Sequence, residues 1–116
     1  MQAIYNRQGQ VVAWLNGKDL YDIKGNFIGF FIGHAVYNSN ATYSGILNQS
    51  FFRDIDGRVV AFMNGAKNGP ALPSLKSKPS RPIKKPRPST KVAPPPPSPK
   101  PPKFGWSKLQ WEDFMN

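Results

Sequence analysis

The sequence contains no cysteine and one histidine, His34, among its 116 residues. The absence of cysteine excludes a disulfide framework, a thiolate nucleophile and a Cys-ligated zinc site. A single histidine cannot supply the three or more ligands of a zinc site, and His34 follows Gly33 in a predicted turn. No glycine-rich phosphate loop of either standard spacing occurs. We therefore expect no metal, no cofactor and no enzymatic activity.

Long apolar runs are missing as well. The chain begins Met-Gln-Ala-Ile-Tyr-Asn-Arg, which lacks the charged start and apolar segment of a secretory signal. No run approaches the length of a transmembrane helix. The expected location is the cytoplasm.

Acidic residues are few and the charge is unevenly distributed. Six Asp and Glu stand against 16 Lys and Arg, which gives a net charge of +10. All 13 prolines lie between Pro70 and Pro102, and residues 67–103 carry 10 of the basic residues and no acidic one. Because residues 1–66 are close to neutral, the positive charge is predicted to sit on an extended chain and not on the surface of a domain.

Four segments repeat without insertion at a period of 16 residues. Each has Asn or Asp at a turn position, where its side chain can accept a bond from the backbone two residues on. A glycine three positions later supplies the left-handed residue that closes a type I turn with a bulge. These turn positions are Asn6 and Gly9, Asp22 and Gly25, Asn38 without glycine, and Asp54 and Gly57. Each repeat therefore predicts one hairpin, and the third, with Ala41 and Gln49 in glycine positions, is expected to be the least regular.

A single hairpin of this length cannot bury its apolar face, so the four copies must pack together. The sequence predicts an all-β domain over residues 1–66, closed with pseudo-fourfold symmetry. A column of small residues marks the expected close approach of backbones: Ala13, Gly29, Gly45 and Ala61. Alternation along the second strand places Val11 and Leu15 on one face and Trp14 on the other. We expect Trp14 to be an ordinary core aromatic, and the alternative is an exposed binding patch.

The Asx-x-x-Gly turns, the apolar-small-aromatic strands and the Gly105-Trp106-Ser107 segment resemble those of the bacterial four-fold β-flower proteins. The resemblance rests mainly on residues 1–66. It implies a pseudo-fourfold all-β fold and transfers no catalytic residue.

Residues 67–103 have the composition of a disordered polyproline II spacer. Fully extended, such a spacer would reach about 120 Å. Four basic residues, Arg81, Lys84, Lys85 and Arg87, are candidates for salt-dependent attraction to phosphate or an anionic membrane.

Residues 104–116 restore aromatic side chains after the proline-rich segment. Ser107 and Gln110 have the spacing of a capping box, which predicts a short helix that needs a surface to fold on. The candidate partner-binding residues are Phe104, Trp106, Leu109, Trp111 and Phe114. This peptide is expected to dock either on a protein partner or on its own domain, and the sequence leaves both open, as it does the oligomeric state.

Three classes of function follow. The first is a non-enzymatic protein-interaction or adaptor module using the C-terminal peptide. The second is binding of nucleic acid or an anionic surface through the basic segment, which would weaken with salt. The third is binding of carbohydrate or another small ligand by the repeats, which requires an exposed column of Tyr5, Tyr21 and Tyr37 and is weakened by Arg53 in the fourth place.

Overall fold

The computed structural model describes all 116 residues as eight antiparallel strands and one short helix. The strands are β1 Gln2–Tyr5, β2 Val11–Asn16, β3 Asp19–Asp22, β4 Phe27–Ile32, β5 Ala35–Asn38, β6 Tyr43–Asn48, β7 Phe51–Arg53 and β8 Val59–Phe62, and the helix is α1 Trp111–Phe114. Each strand pairs with its neighbour in sequence, and β1 pairs with β8 to close a barrel. The all-β prediction with one hairpin per repeat is confirmed. None of the helices in this structure is long and apolar enough to span a membrane.

The turn inside each hairpin, which we call the tip, forms as the sequence predicts. Asn6 Oδ1 accepts the N–H of the residues two and four positions later at 3.0 and 2.9 Å, and the same pair of bonds recurs in the other three tips. The third repeat is the irregular one. Ala41, Gln49 and Ser50 take positive φ angles of 61°, 50° and 66° without being glycine, which is strained backbone for residues with a side chain.

A β-bulge in each hairpin decides which side chains face inward. Between β1 and β2 the register skips Val12, which has no partner. The extra residue reverses the alternation, so Val12 and Leu15 pack against the inner core while Val11 packs with Trp14 in an outer cluster. The prediction that Val11 shares the face of Leu15 is wrong for this reason, whereas Trp14 is buried as predicted.

The inner core lies on the barrel axis. One apolar side chain from each repeat is completely buried there: Ile4, Leu20, Val36 and Phe52. The small column permits close approach between neighbouring strands. A methyl group added at Gly29 would overlap the carbonyl oxygen of Tyr37, and one added at Gly45 would overlap that of Arg53.

Residues 67–103, which we call the strap, wrap around the outside of the barrel. The prediction of a disordered spacer is wrong, because the strap makes repeated backbone hydrogen bonds to the tips. The molecule is a flat body of 37 × 35 × 21 Å. Nine residues of polyproline II chain span about 28 Å, and a quarter of the perimeter of this body is also about 28 Å. The strap therefore advances by about one repeat of the barrel for every nine residues.

The C-terminal peptide closes one end of the barrel. Trp111, Phe114 and Met115 are buried within the inner core, and we call these three residues the plug. A short helix is confirmed, but it begins three residues later than predicted. Gln110 is its N-cap, and its N–H donates to Asp113 Oδ2 at 3.2 Å.

Candidate functional site

The strap docks on the tips through backbone atoms. In three repeats a strap N–H donates to the carbonyl of the tip glycine: Lys76 to Gly9 at 2.9 Å, Lys85 to Gly25 at 3.0 Å and Lys103 to Gly57 at 3.0 Å. At each docking point, the strap carbonyl two residues earlier lies against the same glycine. A methyl group there would overlap the oxygen of Ser74, Ile83 or Pro101. Glycine is therefore required at these tips both for its positive φ and for the space it leaves.

The third docking point differs on both sides of the contact. Position 94 continues the nine-residue series, but Pro94 has no N–H to donate. The equivalent tip residue is Ala41, which carries the methyl group that would overlap a strap carbonyl at the other three tips. Here the hydroxyl of Tyr37 donates to the Pro94 carbonyl at 2.6 Å, and Ala93 packs against the cluster that contains Ala41. The nine-residue series of the strap and the 16-residue repeat of the barrel are thus both broken at the third docking point.

The column of Tyr5, Tyr21 and Tyr37 is buried, with at most 1% of each residue exposed. The exposed aromatic column that carbohydrate binding requires is therefore absent. Burial, followed by the nearby charge of Asp19, raises the pKa of Tyr21 even though Arg87 acts in the opposite direction.

Arg53 fills the fourth place of that column and holds both ends of the strap. Its guanidinium donates to the carbonyls of Gly57 at 2.8 Å, Lys103 at 2.7 Å and Asn68 at 3.2 Å. Burial lowers the pKa of Arg53, while the three carbonyl acceptors favour its charged form. Asn68 lies at the beginning of the strap and Lys103 at its end, so one side chain closes the loop around the barrel.

Three of the four basic candidates contact the barrel. Arg87 pairs with Asp19 at 2.7 Å and its guanidinium lies 4.8 Å from the ring centroid of Phe27. Lys84 Nζ lies 5.9 Å from the ring centroid of Tyr21, and Lys85 Nζ donates to Asn26 Oδ1 at 2.9 Å. Arg81 is exposed and its side chain has no hydrogen bond or ion pair.

The five candidate residues of the C-terminal peptide do not form one surface. Trp111 and Phe114 are buried, and the ring centroids of Trp111 and Phe52 are 5.2 Å apart. Phe104 and Leu109 are 76% and 42% exposed. Trp106 is half-buried, between these extremes.

Trp106 covers the seam where the barrel closes. The register between β1 and β8 consists of a single pair, Tyr5 with Phe62. The centroid of Trp106 lies 6.3 Å from that of Phe62, and the guanidinium of Arg7 lies 5.8 Å from it on the side of the first repeat. Val59 also exchanges backbone bonds with residues on either side of Trp106, donating to the Gly105 carbonyl at 3.1 Å. The beginning of the C-terminal peptide thus reinforces the junction of the sheet that has only one residue pair.

Ser107 was expected to cap the helix and instead anchors the peptide to the fourth tip. Its hydroxyl donates to Asp54 Oδ2 at 2.5 Å, and Ser107 Oγ in turn accepts the N–H of Leu109 at 3.1 Å.

The ionisable groups of the tips serve the turns. Burial alone would raise the pKa of Asp22, but hydrogen bonds from Asn26 and Lys24 and the charge of Lys85 outweigh it and lower that pKa. His34 is exposed in the turn between β4 and β5. No group of three or more His, Cys, Asp or Glu is arranged to hold a metal ion.

An open cleft of about 700 Å³ separates the first two tips from the plug. Its walls combine turn side chains such as Asn6 and Asn26 with Trp111 and Met115. The plug therefore does not fill the end of the barrel symmetrically.

Comparison with known proteins identifies the family. The profile of the 4-fold beta flower protein matches residues 2–115, and so includes the strap and the plug as well as the barrel. No curated protein and no solved structure matches the chain. Because the match extends over nearly the whole sequence, the chain belongs to the 4-fold β-flower protein family.

Proposed function

We propose that this protein is a non-enzymatic interaction module whose barrel recognises an extended, proline-rich chain, and that its own strap occupies this site. The observation that carries the proposal is the pairing of strap backbone with tip glycines at multiples of nine residues. Extended proline-rich ligands are recognised in a similar way elsewhere, because their preformed chain presents carbonyls at fixed spacing beside aromatic side chains.

The site recognises the spacing of backbone groups along the bound chain more than the identity of its side chains. The residues whose carbonyls meet the three tip glycines are chemically unlike one another: Ser74, Ile83 and Pro101. A chain of different sequence but the same spacing would therefore fit these docking points. The third docking point fixes the register of the bound chain on the barrel. A shift by nine residues would place Pro94, which has no N–H, against Gly25 or Gly57.

The plug has a secondary part in this proposal. Trp111 and Phe114 can anchor a protein partner only after they leave the inner core, where they are 4% and 3% exposed. Recognition therefore takes place by exchange of straps on the barrel and not through a free aromatic peptide.

The test uses the folded chain. A protease site is inserted between Ala71 and Leu72, which are exposed, and the protein is cleaved after folding. We expect the fragments 1–71 and 72–116 to remain associated. A fluorescent 72–116 peptide should then replace the unlabelled one, as measured by anisotropy.

The matched control is the same peptide lacking Ser89, which shifts the last two docking points by one residue relative to the first two. We expect it to bind roughly tenfold more weakly or worse, since backbone bonds and plug contacts cannot all form together. Equal binding of the two peptides, or failure of the labelled peptide to exchange, would contradict the proposal.

A further inference from the structure

The strap gives the molecule a belt of positive charge. All ten of its basic residues are exposed, and it has no acidic residue. Two of the ten form ion pairs with the barrel, Arg87 with Asp19 and Lys100 with Asp56. Six have side chains without a hydrogen bond, ion pair or aromatic partner: Lys67, Lys76, Lys78, Arg81, Lys91 and Lys103. These six are available to an external anion.

The belt follows the perimeter of the flat body. The strap passes the tips of successive repeats, from Gly9 through Gly25 to Gly57, so its charges face several directions. A planar membrane would meet only one arc of such a belt. Duplex DNA, with a persistence length of about 500 Å, is too stiff to follow a perimeter of about 110 Å.

We infer that the strap binds single-stranded nucleic acid, whose flexible phosphodiester backbone can follow the curved line of Lys and Arg. An exposed aromatic side chain stands at the end of this line, because Phe104 follows Lys103 and is 76% exposed. Basic grooves with an aromatic side chain for base stacking are the usual means of binding single strands without sequence preference. This activity is separate from recognition of a proline-rich chain, because it uses the outward side chains of the strap and not its backbone.

The salt dependence of binding has a defined size. For single strands the logarithm of affinity falls with the logarithm of salt concentration with a slope of about −0.7 for each phosphate contact. If four to six of the available side chains engage one strand, affinity should fall roughly 50- to 300-fold between about 50 and 200 mM salt.

The experiment measures anisotropy of a fluorescent oligothymidine of about 20 nucleotides with the full-length protein. Lys78→Gln with Arg81→Gln removes two available charges and should make the salt slope shallower by about 1.4. The matched control, Lys78→Arg with Arg81→Lys, keeps the charge and should bind like the original chain. Phe104→Leu should lower affinity without changing the slope.

Three outcomes would overturn the inference. They are no binding of the oligonucleotide at about 50 mM salt, a salt slope that the glutamine variant does not change, and equal or tighter binding of a duplex of the same length. Vesicles containing phosphatidylserine provide the last comparison. Binding to these vesicles without binding to the oligonucleotide would assign the belt to a membrane surface instead.

Discussion

Replacing Gly25 with alanine tests whether the strap is fixed by the tips. An alanine at this φ of +87° costs about 1 kcal/mol of backbone strain. The added methyl group would also overlap the Ile83 carbonyl, so the strap must move and the bond from the Lys85 N–H is lost. That loss adds about 1 kcal/mol. We expect Gly25→Ala to lower the free energy of unfolding by about 2 kcal/mol.

Gly33 provides the matched control. Its φ is +60°, and a methyl group there would meet nothing within 4 Å. Gly33→Ala should therefore show only the strain term of about 1 kcal/mol. Urea unfolding followed by tryptophan fluorescence measures both values, and hydrogen exchange of the Lys85 amide should accelerate in Gly25→Ala alone. Equal destabilisation of the two variants with unchanged exchange at Lys85 would refute the role assigned to the tips.

Three further changes probe the third docking point, the plug and the tips. Ala41→Gly and Pro94→Lys together recreate the contact of the other repeats. A double-mutant cycle in urea should therefore give a favourable coupling energy of about 1 kcal/mol between them. A coupling energy near zero would contradict the claim that Ala41 and Pro94 take the places of the tip glycine and the strap donor at the third docking point. Trp111→Ala should cost about 3 kcal/mol or more in thermal unfolding, whereas Leu109→Ala in the same peptide should cost less than about 0.5 kcal/mol. Because the pKa of Asp22 is lowered on folding, its carboxylate stabilises the fold above the unfolded value of about 3.9, and this stabilisation is lost as the pH falls through the folded pKa. Asp22→Asn places at this tip the Asn side chain that the first and third tips have. The free energy of unfolding of this variant should therefore fall less steeply below about pH 4, and an unchanged pH dependence would show that Asp22 is not responsible.

The barrel could be predicted because its signals are local and repeated. An Asx side chain such as that of Asn6 bonds within its own turn, so the turn needs no knowledge of the rest of the fold. It was harder to predict which side chains of a strand point toward the inner core. The extra residue Val12 reverses the alternation of β2, and simple period-two reasoning assumes that no such bulge occurs.

The strap could not be predicted from composition, because compositional rules for disorder weigh the burial of side chains. This segment is fixed instead by backbone bonds such as that of Lys85 to Gly25, which a sequence does not display. A weak signal was present, since Lys76, Lys85 and Lys103 are separated by multiples of nine residues. The docking of Trp111 was equally hidden, because its binding surface exists only after the four hairpins have closed.

The loop closed by Arg53 has a mechanical consequence. A pull on the C-terminus would extract the plug first and then break the docking points one after another, from Gly57 back to Gly9. Each break beyond the first would release further chain in units of nine residues, about 30 Å when extended, while the hydrogen-bonded barrel beneath stays closed. Under force the molecule would lengthen in discrete steps, and its extension would show how many docking points had broken.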